Sequence, residues 1–316
     1  MTPDPPVAAP TSGQLPFVGA DRLRELVPPA DAVDALEAAL RDGTAPGTAP
    51  ARSSLRVDGG SGGSGSGGGE LLLMPAAGAR FAGVKLATVA PGNPARGLPR
   101  IQGVYVLFDA ATLAPVALVD AVALTSLRTP AVSALALRHL APPGPVRLVV
   151  FGRGPQGVGH VEAVAAVRPV SSTTVLGRDA GPAAVADAVR AADVVVCATT
   201  ARHPLFDPAL VRPGAVVIAV GSHEPTAREV GTALVRRAHV VVETRGSALA
   251  EAGDVLLAAG PGLPAAELVD ADLAELVTGR PALDPARPRL FKSVGEAWED
   301  LVVASLAVTR LTQPGA

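Results

Sequence analysis

The chain has 316 residues, a formal net charge of −2 and an isoelectric point near 6.2. That length gives room for two domains, each with its own core, and the charge leaves no basic footprint for nucleic acid. Hydrophobic residues make up 48% but aromatics only 3%, so small aliphatic side chains must build the cores, and the single cysteine, Cys197, excludes an internal disulfide or a cysteine-rich metal site.

Residues 1–18 are proline-rich and lack a basic region leading into an apolar run, so they read as a loose arm and not as a secretory signal. Ala20 to Arg41 predicts two helices, the second with apolar residues at i, i+3 and i+4 spacing. Asp58 to Gly69 has the composition of a flexible linker. It separates two β-like runs, Ser53–Val57 and Glu70–Met74, as an expanded hairpin loop would. Strand-like runs at Gly83–Val89, Gly103–Asp109 and Pro115–Val119 extend this into a mostly antiparallel sheet. The longest apolar stretch, Val104 to Leu124, is broken by Asp109, Pro115 and Asp120 and falls short of a membrane span. A cytoplasmic protein with no membrane partner is expected.

From Leu124 to Leu140 the pattern is helical, with Thr125, Arg128 and Thr129 in the first turns. After the Pro142-Pro143-Gly144-Pro145 break, strands and helices alternate. The strands are Val146–Gly152, Thr173–Leu176, Asp193–Ala198, Ala215–Val220 and His239–Glu243. Such alternation predicts an α/β fold with a Rossmann-type, doubly wound parallel sheet over residues 125–294. Residues 1–124 form a separate α+β domain, to which a last helix within 295–316 returns. Cys197 lies in the apolar run Val194 to Ala198, where a buried structural thiol is expected.

The first strand of the alternating region runs into Gly152-Arg153-Gly154-Pro155-Gln156-Gly157 and then a helix. Gly152 permits a tight turn and Gly154 lets backbone approach a pyrophosphate. The helix N-terminus supplies amide donors and its dipole. With both flanking elements in place, G-x-G-x-x-G points to a dinucleotide. The second strand ends in Leu176-Gly177-Arg178-Asp179. If Gly177 holds the position of the usual ribose-binding acid, Arg178 follows to meet a phosphate and NADP(H) is preferred. Asp179, two residues on, leaves NAD(H) possible.

Lys85 and Lys292 are the only lysines among 27 basic residues, and Asn93 is the only asparagine. A chain that has otherwise drifted to arginine keeps lysine where a compact ammonium is needed. All three fall on motifs that resemble the ornithine cyclodeaminase/mu-crystallin family. The motifs are Met74-Pro75, Gly83-Val84-Lys85, Pro91-Gly92-Asn93-Pro94 with Gly97-Leu98-Pro99, Leu124-Thr125-Ser126-Leu127-Arg128-Thr129, Gly152-x-Gly154-x-Gln156 and Phe291-Lys292-Ser293 running on to Asp300. The resemblance implies a homodimer in which the first domain serves substrate binding and dimerisation. It implies a small amino or imino acid substrate whose carboxylate is met by Arg52, Lys85 and Arg128. It also implies a cofactor-facing set of Thr129, Gly152, Gly154, Pro155, Gln156, Gly157, Arg178, Thr199, Val220, Gly221, Lys292 and Ser293.

Deaminating members of that family are similar to one another in a Gly-x-Asp segment after the fourth strand. Here the segment is Gly221-Ser222-His223, followed by Pro225 and Arg228-Glu229, and it resembles the ketimine-reductase branch. Reducing a preformed cyclic imine needs a bound carboxylate, a protonated C=N and a hydride. The proton comes with the substrate, or from Lys85 or His223. The expected activity is therefore NAD(P)H-dependent reduction of small cyclic imino acids such as 1-pyrroline-2-carboxylate. Ornithine cyclodeamination, an alanine-type dehydrogenase and a non-catalytic NADPH-dependent ligand-binding role are the alternatives.

Overall fold

In the computed structural model, residues 14–44, 46–58, 68–279 and 281–313 are described. The arm before residue 14 and the centre of the Gly/Ser segment, 59–67, lie outside them. Two compact units emerge. Unit 1 takes Met1–Pro28, Thr48–Arg128 and Glu296–Ala316, and unit 2 takes Pro29–Gly47 and Thr129–Gly295. In chain order the elements are β1 (Phe17–Val18), α1 (Ala20–Leu26), α2 (Pro29–Arg41), β2 (Ser53–Asp58), β3 (Gly68–Ala77), β4 (Phe81–Val89), β5 (Ile101–Asp109), β6 (Pro115–Asp120) and α3 (Ala121–Leu140). Then come β7 (Val146–Phe151), α4 (Pro155–Val167), β8 (Val170–Leu176), α5 (Pro182–Ala191), β9 (Val194–Cys197), β10 (Val216–Ala219), α6 (Thr232–Arg237) and β11 (His239–Val242). The last are α7 (Arg245–Glu251), α8 (Gly253–Leu256), β12 (Ala271–Asp272), α9 (Leu273–Val277), β13 (Arg289–Lys292) and α10 (Ala297–Leu311).

Unit 1 is built on a six-stranded sheet in the order β1-β6-β5-β4-β3-β2, antiparallel except where β1 runs parallel to β6. Side chains alternate across it. On β4, Phe81, Gly83 and Lys85 face inward, and on β5, Tyr105, Leu107 and Asp109 do. The register sets Met74, Lys85, Tyr105 and Val119 in one buried row. Helix α10 packs on β3, β4 and β5, and its buried face carries Trp298, Leu301 and Ala304 together with two acids, Glu299 and Asp300. Gly83 is required by this packing, because a Cβ there would lie 2.3 Å from the Tyr105 hydroxyl oxygen. Strand β2 forms the far edge, and all six of its residues are exposed.

Unit 2 is a seven-stranded sheet in the order β12-β11-β13-β10-β9-β7-β8, with every pair parallel. Its central strands are buried along their whole length, as a sheet covered on both faces requires. Cys197 is fully buried there, and desolvation pushes its thiol pKa well up, as expected of a structural thiol. One central strand escapes the sequence pattern: β13 inserts between β10 and β11, yet its ends are Arg289 and Lys292. Helix α2 also groups with unit 2 and not with the N-terminal domain. Its Glu37 Oε2 accepts a bond of 2.6 Å from Arg138 on α3, and Oε1 lies 3.1 Å from His139 Nε2. Periodicity shows that a helix has an apolar face but not which core that face joins. Among the described residues, no helix is long and apolar enough to cross a membrane.

Candidate active site

The glycine loop of unit 2 has the backbone that a dinucleotide fingerprint needs. Gly152 has φ +117°, open only to glycine, and a Cβ there would strike the Ala198 carbonyl at 2.3 Å. A Cβ on Gly157 would lie 2.0 Å from the Gly152 carbonyl oxygen, so the third glycine lets α4 pack against the strand end. Gly154, the N-cap of α4, is different: a Cβ there meets open space, and Pro155 follows at the first helical position. The loop therefore leaves room above a helix N-terminus, and its backbone and dipole fit a pyrophosphate. Behind the loop, His160 is fully buried between the Gln156 carbonyl (2.6 Å) and the Ser133 hydroxyl (3.0 Å). Burial lowers its pKa to about 4, so it stays neutral and braces the loop against α3.

Glu229, which the sequence analysis noted only as part of an Arg-Glu pair, organises the neighbouring strand ends. One of its oxygens accepts from the Thr199 backbone N–H (2.8 Å) and hydroxyl (2.7 Å), and the other from the Gly221 N–H (2.7 Å). Burial raises its pKa, opposed by Lys292 and these donors. Gly221 has no room for a side chain, since a Cβ would lie 2.0 Å from the Thr199 carbonyl oxygen. Val220 and Thr199 are half-buried at these ends, and Thr129 is buried on α3.

Lys292 and Ser293, expected to face the cofactor, are buried against internal partners. The Lys292 ammonium is fully buried, donating to the Ser222 carbonyl (2.6 Å) and paired with Asp254 at 3.0 Å. Ser293 donates to Glu243 at 2.6 Å and is also buried. Both are committed to internal partners, so their side chains brace the strand ends. His223 lies exposed on the loop after β10.

The candidate carboxylate site belongs to unit 1. Buried in the row beneath α10, the Lys85 ammonium donates to Asp300 Oδ2 at 2.7 Å, with the Thr125 hydroxyl at 3.5 Å. Arg128 Nε donates to Asp300 Oδ1 at 3.2 Å, and its Nη1 donates to Glu299. One carboxylate thus joins the two cations through its two oxygens. Burial lowers the Lys85 pKa to about 8, with Asp300 opposing the fall and Arg128 adding to it. Tyr105, opposite Lys85 in the register, has its hydroxyl pKa pushed well up by burial and then by Asp300. Arg52 is half-buried just before β2, one residue before the Ser53–Leu73 pair.

Asp300 and Glu299 were missed as site residues, although they stand in the closing motif. The signal was there: two adjacent acids on an otherwise apolar helix must find buried cations. The two lysines share that logic, since each is buried against a carboxylate.

Residues 22–184 and 182–313 match the family model of the ornithine cyclodeaminase/mu-crystallin family. The chain is 36% identical over 262 residues to a Delta(1)-pyrroline-2-carboxylate reductase of Burkholderia ambifaria, covering 76% of this chain and 80% of that one. It is 35% identical over 237 residues to the mouse ketimine reductase mu-crystallin, covering 70% of this chain and 74% of that one. Among solved structures it resembles the Delta(1)-pyrroline-2-carboxylate reductase of Thermococcus litoralis in complex with NADH and L-proline. The TM-score is 0.82 at 26% identity, over 94% of this chain and 97% of that one.

Proposed function

The chain belongs to the ornithine cyclodeaminase/mu-crystallin family, and on that footing we propose that it reduces small cyclic imino acids, such as 1-pyrroline-2-carboxylate, with a nicotinamide dinucleotide. The observation that carries this is the buried cation pair of unit 1, Lys85 and Arg128 on the two oxygens of Asp300. A cyclic α-imino acid presents a planar carboxylate beside a C=N bond. The Arg128 fork matches the carboxylate, and Asp300 and Glu299 hold that fork in place before substrate arrives. An ammonium with its pKa near 8 is protonated at neutral pH and releases its proton more readily than a solvated lysine. Lys85 is thereby suited to keep the imine nitrogen protonated. When bound, the reduced cofactor supplies the hydride. One hydride to the imine carbon and one proton to the nitrogen give the saturated ring amine.

In unit 2 the backbone of the glycine loop would hold the pyrophosphate, and Glu229 keeps the Thr199 and Gly221 backbones fixed. NADP(H) is preferred over NAD(H), because β8 ends at Leu176, Gly177 brings no side-chain carboxylate of its own, and the exposed Arg178 follows. Two named relatives, the Burkholderia and Thermococcus reductases, act on the five-membered imine and support that ring as substrate. The exposed edge strand β2 supports a homodimer, which sedimentation equilibrium tests.

The reductase proposal is tested by following NADPH and NADH oxidation against imino acids of five- and six-membered rings, with L-ornithine as control. Oxidation with the imines and none with ornithine is expected. Ammonia release from ornithine would restore the cyclodeaminase, for which this chain offers His223 in place of the carboxylate.

A further inference from the structure

Arg153, the residue between the first two glycines of the loop, has no part in the site described so far. Its guanidinium reaches over the end of β8, where Nη1 donates to Asp179 Oδ1 at 2.7 Å. The space it fills is the one Gly177 leaves: a Cβ there would lie 2.5 Å from Arg153 Nη1 and 2.5 Å from Asp179 Oδ1. The missing side chain at Gly177 is thus replaced by an ion pair. This is the strand end at which dinucleotide-binding folds present an acid to the adenosine ribose. Both partners are well exposed, at 59% and 70% of their side-chain surface, and Arg178 beside them is exposed as well.

We infer that Arg153 is a cofactor-specificity residue, exchanging Asp179 for the 2′-phosphate of NADP(H), while Asp179 remains available to the ribose diol of NAD(H). This rests on the dinucleotide proposal above. The exchange is favourable because of what each state holds. An exposed guanidinium–carboxylate pair contributes little, since water and salt screen it. A phosphate dianion offers the same fork more charge and three acceptor oxygens. Two arginines against one aspartate also leave the strand end net positive until the phosphate arrives. While the pair is made, the Arg153 hydrogen bond lowers the Asp179 pKa. With NADH no phosphate competes, so the pair persists and the second carboxylate oxygen accepts from the ribose hydroxyls. One strand end then serves both cofactors, with the phosphate-bearing one ahead.

The test is equilibrium binding on the full chain. Dissociation constants for NADPH and NADH are read from nicotinamide fluorescence, and adenosine 2′,5′-bisphosphate and 5′-AMP serve as competitors. Arg153→Ala is expected to weaken NADPH and the bisphosphate about tenfold or more, the usual worth of a charge-assisted bond, with NADH and AMP moving less than about threefold. Arg153→Lys should fall between, because charge is kept and the fork is lost. Asp179→Asn should weaken NADH and leave NADPH unchanged or tighter. The inference is overturned if Arg153→Ala leaves the NADPH-to-NADH ratio where it was, whether by changing neither constant or both equally. Failure of the unmutated chain to bind either nucleotide would instead overturn the dinucleotide proposal beneath it. Both side chains are exposed, so loss of fold is not expected, and circular dichroism checks it.

Discussion

Replacing Asp300 by Asn removes the charge that holds Lys85 and Arg128 together while keeping the shape. Lys85 sits 2.7 Å from Asp300, with side-chain exposures of 4% and 0%. At an effective dielectric near 20, a unit pair at that distance interacts with about 6 kcal/mol, an upper bound because the amide oxygen still accepts and water relaxes around it. Even a quarter of that, about 1.5 kcal/mol, lowers the Lys85 pKa by about one unit. The unmutated enzyme should lose kcat/KM as pH rises through about 8, where Lys85 deprotonates. In Asp300→Asn the alkaline limb should move to about pH 7 or below. Glu299→Gln should move it less, since Glu299 is the weakest of the contributions holding the Lys85 pKa up. Initial rates of NADPH oxidation at constant ionic strength, from pH 5.5 to 9.5, give the profile. A limb that keeps its position in Asp300→Asn belongs to the substrate's own imine nitrogen or to another group, and the Lys85 account is then wrong. The stability linkage runs the other way. The Lys85 pKa falls from 10.5 to about 8 on folding, so the unfolded chain binds more protons between those values. Stability from this group therefore rises with pH across that window, by roughly 3 kcal/mol. Tyr105, with its raised pKa, opposes that gain above about pH 10.

Arg128→Lys should lower kcat/KM by about a hundredfold although charge is kept, because the fork to substrate and to Glu299 is lost. NADPH affinity should be unchanged, and impaired binding would place the defect in folding. His223→Ala should leave kcat within about threefold, since the side chain is exposed on its loop. A fall of about 10² or more would make it the proton donor in place of Lys85. Lys292→Met should cost about 3–5 kcal/mol in denaturant unfolding, because Asp254 is left buried without its cation. A nearly neutral outcome would refute the claim that the buried pair matters to the stability of the strand end.

The features legible in the sequence are those that local chemistry dictates. The antiparallel strands of unit 1 show a period of two, and the loop from Gly152 to Gly157 shows its roles in its spacing, each glycine meeting a different steric demand. Lys85 was singled out as one of only two lysines and by its place in an apolar strand, and Arg128 by the motif that carries the family resemblance. What stayed hidden is long-range. Strand β13 carries cations at both ends, and only burial of Lys292 against Asp254, on an element distant in sequence, makes such a strand central. Helix α2 joins unit 2 through Glu37 and its partners Arg138 and His139 on α3. Asp300 lies 215 residues from Lys85, a separation no local pattern spans. Arg153 was passed over because the glycines around it define the motif, while its own side chain acts at another strand's end.

The central claim, hydride transfer to a cyclic imine, is tested most directly with NADPH carrying deuterium at nicotinamide C4 and 1-pyrroline-2-carboxylate as acceptor. Either face of the nicotinamide is labelled in turn, and the proline formed is analysed by mass spectrometry and NMR. The account predicts one deuterium at the proline α-carbon from one labelled face, one NADP⁺ formed per proline, and no ammonia when L-ornithine replaces the imine. Proline formed from ornithine with release of ammonia and no net cofactor oxidation, or an imine left unreduced in the presence of bound NADPH, would contradict it.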